Sequence, residues 1–293
     1  MPVRVRVPAK VNLHLAVGPL RPDGYHELVT VLHAVDLYDE VVAAPADGIE
    51  LAVTGDGAAD VPTDEHNLAW RAAALLAARA GVSPNVRLEI VKAIPVAGGM
   101  AGGSADAAAT LVACNALWRT GLSRTALCEL AAELGSDVPF ALLGGTAVGT
   151  GRGERLKGVS TKTILHWVFA LAQHGISAAA AYRELDRLGG GTTTQPDAIL
   201  DALHRGDPKL IAARLYNDLQ PAALSLAPAL RRTLDAGREL GALGGIVSGS
   251  GPTCAFLAAS RDDAIRLAAA LAAEGVYRAV RVATGPTLGA QAR

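Results

Sequence analysis

Val3, Val5 and Val7 alternate with Arg4 and Arg6, a period of two that predicts a strand with one wet face. Pro8 ends that strand or marks a bulge in it. Beyond it Lys10, Asn12 and His14 alternate with Val11, Leu13 and Leu15, so a second strand carries three polar side chains on one face. The period alone leaves open whether that face is solvated or floors a cleft. Arg21-Pro22-Asp23-Gly24 is a turn signal, followed by Tyr25-His26-Glu27 and an apolar run to Val35. Val41 to Val53 reads as strand, turn at Asp47-Gly48, strand. The pattern then becomes helical from Asn67 to Ala80, with Gly81 as the stop. Val86-Arg87-Leu88-Glu89-Ile90 returns to alternation and feeds Lys92 and a glycine-rich stretch.

After that stretch an alanine-rich run, Ala105 to Trp118, predicts a helix. Ser123 caps another that runs to Leu134 and stops at Gly135. A third opens near Pro139, which leaves Asp137 at the junction, where an N-cap carboxylate competes with a catalytic one. Gly144–Gly153 reads as a hairpin with Glu154-Arg155-Leu156 beyond it. A shift near residue 158 precedes a fresh apolar strand, Ile164–Leu171, and divides the chain into domains 1–157 and 158–293. The second part predicts a helix at Ala178–Leu188 and a loop at Gly189–Thr194. Further helices are expected at Ile199–His204, Lys209–Leu215 and Ala227–Leu240. A glycine-rich segment, Gly244–Thr253, leads into a strand at Cys254–Leu257, a helix at Asp262–Ala273 and a strand at Val276–Val282. That order suggests an α+β domain with an antiparallel sheet.

A chain of 293 residues with 51% hydrophobic content can bury a sizeable core. The net charge of -1 argues against a nucleic-acid binder, so an anionic ligand must be met by a few local cations and backbone amides. Cys114, Cys128 and Cys254 form no C-x-x-C pair and read as small buried residues in a reducing compartment. The N-terminus has no apolar h-region, and no apolar run is long enough to span a membrane. A soluble, cytoplasmic protein is expected, with no membrane partner. No interface is legible, so monomer and homodimer both stay open.

Between strand and helix, the stretch Pro95-Val96-Ala97-Gly98-Gly99-Met100-Ala101-Gly102-Gly103-Ser104 holds four glycines in six positions. Bare backbone lets a ligand approach the amides, and the helix that follows adds unpaired N–H groups and its positive dipole end. Together, with Ser104 as cap, they predict a phosphate site. No Gly-Lys-Ser/Thr closes a Walker A loop, and the spacing fails G-x-G-x-x-G. A turn that merely packs helix close to sheet is the competing reading. Tyr25 could stack on a ring and His26 hydrogen-bond a base edge.

Pro8-Ala9-Lys10-Val11-Asn12-Leu13, the Pro95–Ala108 loop and Gly249-Ser250-Gly251-Pro252-Thr253 resemble the three signature motifs of the GHMP kinase superfamily. Asp23-Gly24-Tyr25-His26, Leu134–Phe140 and Asn217-Asp218-Leu219 are similar to a branch acting on a cytidine-diphosphate-linked methylerythritol in the non-mevalonate route to isoprenoid precursors. The likeness covers nearly the whole chain. It implies a two-domain fold: an N-terminal ribosomal-S5-domain-2-like domain, a C-terminal ferredoxin-like α/β sandwich, and an active site in the cleft between them. It implies ATP-dependent phosphorylation of the 2-hydroxyl of the methylerythritol moiety, with Mg²⁺ arriving on ATP and no direct metal ligand named. Asp137 is implied as general base and Lys10 as its charged partner. ATP falls to Lys92 and to Pro95, Val96, Ala97, Gly98, Gly99, Met100, Ala101, Gly102, Gly103 and Ser104. Asn12, Tyr25, His26 and Tyr182 take the substrate, and Gly249, Ser250 and Gly251 form an active-site loop. Two departures are visible: Ala101 stands where relatives carry glycine, and Ala178 where they often carry threonine. The alternative is another GHMP-type kinase, of homoserine or mevalonate type, which Tyr25-His26 disfavours because those substrates offer no base. A nucleotide-binding sensor is a third reading, against which stands the retention of both Lys10 and Asp137.

Overall fold

The computed structural model describes residues 1–275 and 277–293; Val276, where the last expected strand was to begin, lies outside the described residues. The N-terminal alternation runs straight through Pro8. Strand β1 (Val3–Leu20) is continuous, and its register with β2 (His26–Ala44) shifts between Pro8 and Ala9, so the proline marks a bulge. There its missing N–H costs the ladder least. The turn at Asp47-Gly48 does not close a hairpin. Instead β3 (Ile49–Gly55) pairs parallel with β4 (Val86–Lys92), which lies between it and β2. Parallel neighbours need a crossover, and α1 (Leu68–Ala80) supplies it. The Asn67 side chain accepts from Ala69 N–H at its start, and Gly81 ends it at φ 67°.

Helix α2 (Gly102–Leu117) begins inside the glycine stretch rather than at Ala105. Its alanines, Ala105, Ala107, Ala108, Ala109 and Ala113, are buried almost all round, which lets this helix lie close against β1 and β2. Around it stand α3 (Arg124–Leu134) and α4 (Val138–Leu143), and the hairpin of β5 (Thr146–Thr150) and β6 (Arg155–Gly158) extends the sheet from β2.

The second half follows as β7 (Leu165–Leu171), α5 (Ala178–Arg187), α6 (Asp197–Arg205), α7 (Pro208–Ala212), β8 (Tyr216–Asn217), α8 (Gln220–Leu226) and α9 (Ala229–Glu239). It closes with β9 (Gly244–Val247), β10 (Cys254–Ala258), α10 (Arg261–Ala273), β11 (Ala279–Gly285) and β12 (Gln291–Ala292). The four strands β11-β7-β10-β9 form the expected antiparallel sheet. Three details differ from the sequence reading. The helix expected at Lys209–Leu215 stops at Ala212, because Tyr216 and Asn217 pair with β1. Helix α8 was not anticipated. Gly244-Gly245 is an edge strand and not loop: a Cβ on Gly245 would come within 2.6 Å of the Phe256 ring, so packing and not flexibility demands the glycine. The second half has a core of its own around Val168, Leu234, Phe256 and Leu271, and a larger one joins the two halves. The larger cluster runs from Val5 and Leu111 to Trp167, Phe169 and Leu257, while β8 and β12 return to β1.

Candidate active site

A cleft of about 840 Å³ opens between the two sheets' loops, large enough for two small ligands. Part of its lining is the polar face of β1. Lys10 donates to Asn12 Oδ1 at 2.6 Å, Asn12 Nδ2 donates to Thr30 Oγ1 at 2.9 Å, and Thr30 donates to the His14 carbonyl at 2.7 Å. The alternation fails at its third member. The register slips between Asn12 and His14, and His14 stacks on Tyr216 and bonds the Thr194 carbonyl instead of lining the cleft.

Asp137 holds the N-cap position of α4, yet its side chain makes no capping bond among the described residues. Its backbone explains this. An N-cap side chain that bonds the first turn usually sits on extended backbone, whereas Asp137 is already helical at φ -86°, ψ -12°. The carboxylate lines the cleft instead. Burial lowers the pKa of the Lys10 ammonium, and the Asp137 charge works against that loss. Burial, then the same carboxylate, raises the Tyr182 phenol. Three elements far apart in sequence thus meet around one negative charge.

The glycine stretch turns through three left-handed residues: Ala97 at φ 50°, Gly99 at 75° and Ala101 at 61°. Ala101 occupies the N-cap position of α2, and Ser104 stands in the first turn, so Ser104 is not the cap. The first bond of the helix runs from Ala105 N–H to Ala101. Gly102, Gly103 and Ser104 therefore have no earlier helical carbonyl for their amides, and all three line the cleft. Pro95, Ala97, Gly98, Gly99 and Ala101 line it too. The other expected nucleotide residues lie elsewhere. Met100 is fully buried and its carbonyl accepts the Lys10 backbone N–H at 3.3 Å, fastening the loop to β1. Val96 lines a separate cavity of about 130 Å³ with Gly57, His174 and Arg278.

Lys92 departs furthest from expectation. Its amine lies inside the protein between Asp39 and Asp106, 2.6 Å from the latter. Burial alone would lower its pKa, but the two carboxylates outweigh it and hold the pKa above the ordinary lysine value. Burial raises the Asp106 carboxyl to about 7 against the pull of Lys92. Asp39 also accepts from Ala93 N–H at 2.6 Å and Ile94 N–H at 2.8 Å, so the triad ties the entry of the loop to β2 and α2.

The third glycine segment closes over the loop. Gly249 and Ser250 line the cleft, while Gly251 is buried behind them against Val247 and Ala223. Gly249 is left-handed at φ 54°, and a Cβ there would lie 3.0 Å from the Gly99 carbonyl, so backbone strain and close approach both favour a bare position. Ser248 Oγ donates to the Gly99 carbonyl at 3.1 Å, and Asn217 Nδ2 donates to the Val247 and Gly249 carbonyls at 2.8 Å each.

At the far end stand the aromatics. Tyr25 is half exposed; His26 is buried, stacks on Tyr182 at 5.2 Å and bonds Asp186 Oδ1 at 2.9 Å. Asp186, Arg152, Arg183 and Ser136 also line the cleft, and none was singled out from the sequence. Arg152 lies in a glycine-flanked turn that reads only as hairpin. Asp186 follows Tyr182 by one helical turn on α5, a spacing that could have flagged it.

Amides of a glycine loop beside a buried amine and an unengaged carboxylate define a phosphoryl-transfer cleft of the GHMP kinase kind. Residues 67–145 match the GHMP kinases N terminal domain and residues 199–276 the GHMP kinases C terminal domain. Over 99% of its length the chain is 58% identical to the 4-diphosphocytidyl-2-C-methyl-D-erythritol kinase of Salinispora tropica, covering 94% of that protein. It is 60% identical to the protein so named in Rhodococcus jostii, over 99% of this chain and 94% of the other. The crystal structure of a 4-(cytidine 5'-diphospho)-2C-methyl-D-erythritol kinase superposes with TM-score 0.78 at 36% identity, over 96% of this chain and 98% of that one. The homoserine kinase of Cytophaga hutchinsonii superposes at 0.73 with 20% identity, over 100% and 97% of the two chains, and shares the fold. The chain belongs to the 4-diphosphocytidyl-2-C-methyl-D-erythritol kinase family of the GHMP kinases.

Proposed function

We propose that this protein transfers the γ-phosphoryl group of ATP to the 2-hydroxyl of 4-(cytidine 5'-diphospho)-2-C-methyl-D-erythritol, giving the 2-phosphate and ADP. The observation that carries this reading is the meeting of Lys10 and Asp137 in one cleft, between an amide-lined loop and an aromatic pocket. Asp137 accepts the hydroxyl proton as the oxygen attacks the γ-phosphorus, and the bond from that phosphorus to ADP breaks. Lys10, steadied by Asn12, stands in the field of the Asp137 carboxylate and offsets charge on the transferring group. The amides of Gly102, Gly103 and Ser104 hold phosphate oxygens.

Lys92 serves this site from beneath, by fixing the loop. Tyr25, His26 and Tyr182 hold the cytosine. Mg²⁺ comes with ATP: the Ser104 hydroxyl and Asp137 carboxylate are oxygen donors suited to a hard cation that keeps most of its waters, and the ion would offset phosphate charge. The reaction belongs in the cytoplasm. The free thiols of Cys114 and Cys254, which burial pushes up to about 12, accord with a reducing compartment. None of the described helices is long and apolar enough to cross a membrane.

A coupled assay of ADP release tests the proposal, with the cytidyl compound, homoserine and mevalonate offered in parallel. Turnover of the cytidyl compound alone is expected. Turnover of either of the others in its place would overturn the substrate assignment.

A further inference from the structure

Arg152 is a cleft cation that the reaction just proposed leaves without a task. It sits between Gly151 and Gly153 at the tip of the β5–β6 hairpin. Its backbone is pinned: the Gly151 carbonyl accepts from Leu28 N–H at 2.7 Å, and Arg152 N–H donates to Glu154 Oε2 at 2.7 Å. The side chain is equally placed. Its guanidinium carbon lies 4.7 Å from the centroid of the Tyr25 ring, and Nη2 donates to the Ala132 carbonyl at 3.3 Å.

A guanidinium whose carbon lies over a ring can still donate N–H groups that point away from that ring. Among the described residues Nη2 is the one guanidinium nitrogen of Arg152 with a hydrogen-bond partner, and no carboxylate pairs with the guanidinium. A half-buried cation with open donors and no counter-charge is a place for an anion. Its position says which part of the ligand that anion is. Arg152 touches Tyr25 at the aromatic end, and it touches the last turn of α3, five residues before Asp137. It spans the wall between the two ends of the cleft. The cleft's other cations stand elsewhere: the Lys10 amine is held by Asn12 under Asp137's charge, and Arg183 is exposed on α5.

We infer that Arg152 is a substrate-binding and specificity residue that receives the diphosphate bridge of a nucleoside-diphosphate-linked alcohol while bracing Tyr25 from behind. The inference rests on the function proposed above. It adds that the substrate's diphosphate, and not only its base, is recognised.

The test measures competitive inhibition by cytidine and by cytidine 5'-diphosphate in the wild type, Arg152→Met and Arg152→Glu. Methionine keeps an unbranched stem against Tyr25 and removes the charge. Wild type is expected to bind the diphosphate about 10- to 100-fold more tightly than the nucleoside. In Arg152→Met that gap collapses, and the KM for the cytidyl substrate rises by a similar factor while the KM for ATP stays put. Arg152→Glu weakens diphosphate binding further still. Unchanged affinity for ATP shows that the variants are folded. A gap that persists in both variants, or a rise in the ATP KM alone, overturns the inference. Wild type that fails to turn over the cytidyl compound overturns the underlying function instead, so the two failures are distinguishable.

Discussion

The Lys10 ammonium and the Asp137 carboxylate act on each other across the cleft, and among the described residues neither has a direct ion pair. Lys10 spends a proton on Asn12, and Asp137 spends nothing on the helix it heads. Both remain open to a substrate that comes between them. This arrangement differs from a structural salt bridge, in which the partners would satisfy each other and leave no acceptor for a hydroxyl proton.

Asp137→Asn keeps the shape of the side chain and removes the base. We expect kcat to fall by about 100- to 10,000-fold with an unchanged melting temperature. Single-turnover kinetics and a thermal melt check it; full activity in the variant would exclude Asp137 as the base.

Lys10 titrates below the usual lysine range because burial disfavours its charge, and Asp137 opposes that shift. Removing the carboxylate therefore moves Lys10 further down. NMR of isotope-labelled lysine should show this amine losing its proton at lower pH in Asp137→Asn than in wild type. A shift upward would contradict the geometry.

Gly99 lies under Ser248 and Gly251 at φ 75°, and a Cβ there would collide with the Ser248 carbonyl. Gly99→Ala must part the two glycine loops. A loss of about 1–3 kcal/mol of stability is expected, from strain and overpacking together, with a raised KM for ATP. Denaturant melts and initial rates measure both, and a variant as stable and as tight for ATP as wild type would disprove the close approach.

Asp106 has its folded pKa raised to about 7, above an unfolded value near 4. A raised carboxyl contributes stability at low pH, and that contribution fades as pH climbs through the folded value. Asp106→Asn cannot lose a proton there. Relative to wild type, the variant should gain stability as pH rises from about 4 to about 7, as followed by melts across that range. A constant difference would show that Asp106 stays ionised throughout.

Tyr182 lines the cleft from α5 and stacks on His26. Stacking on a base contributes about 1–3 kcal/mol, so Tyr182→Ala should raise the KM for the cytidyl substrate roughly 5- to 100-fold and leave the ATP KM alone. Equal effects on both constants would place Tyr182 outside the base site.

How far the site could be read beforehand depended on how locally each residue's task is decided. The glycine run, the strand before it and the helix after it are neighbours in sequence, so their joint meaning was visible. Lys92 was not, because its partners Asp39 and Asp106 stand 53 and 14 positions away. A lysine beside a phosphate loop reads as a ligand until the carboxylates that claim it are in view. His14 misled for a smaller reason: one register slip in β1 removed it from the face its spacing had given it.

Period, capping residues and strings of glycine act over a few bonds, and they determined most helices, most strands and the glycine loop, while the motif residues carried the family likeness. Only the folded chain decided which polar groups remain free. Tertiary structure locked Lys92 between two acids, left the Asp137 side chain without a capping bond among the described residues and set Arg152 over Tyr25. Charge and hydrogen bonding act through space between segments that the linear order keeps apart, so no local pattern could have assigned those three.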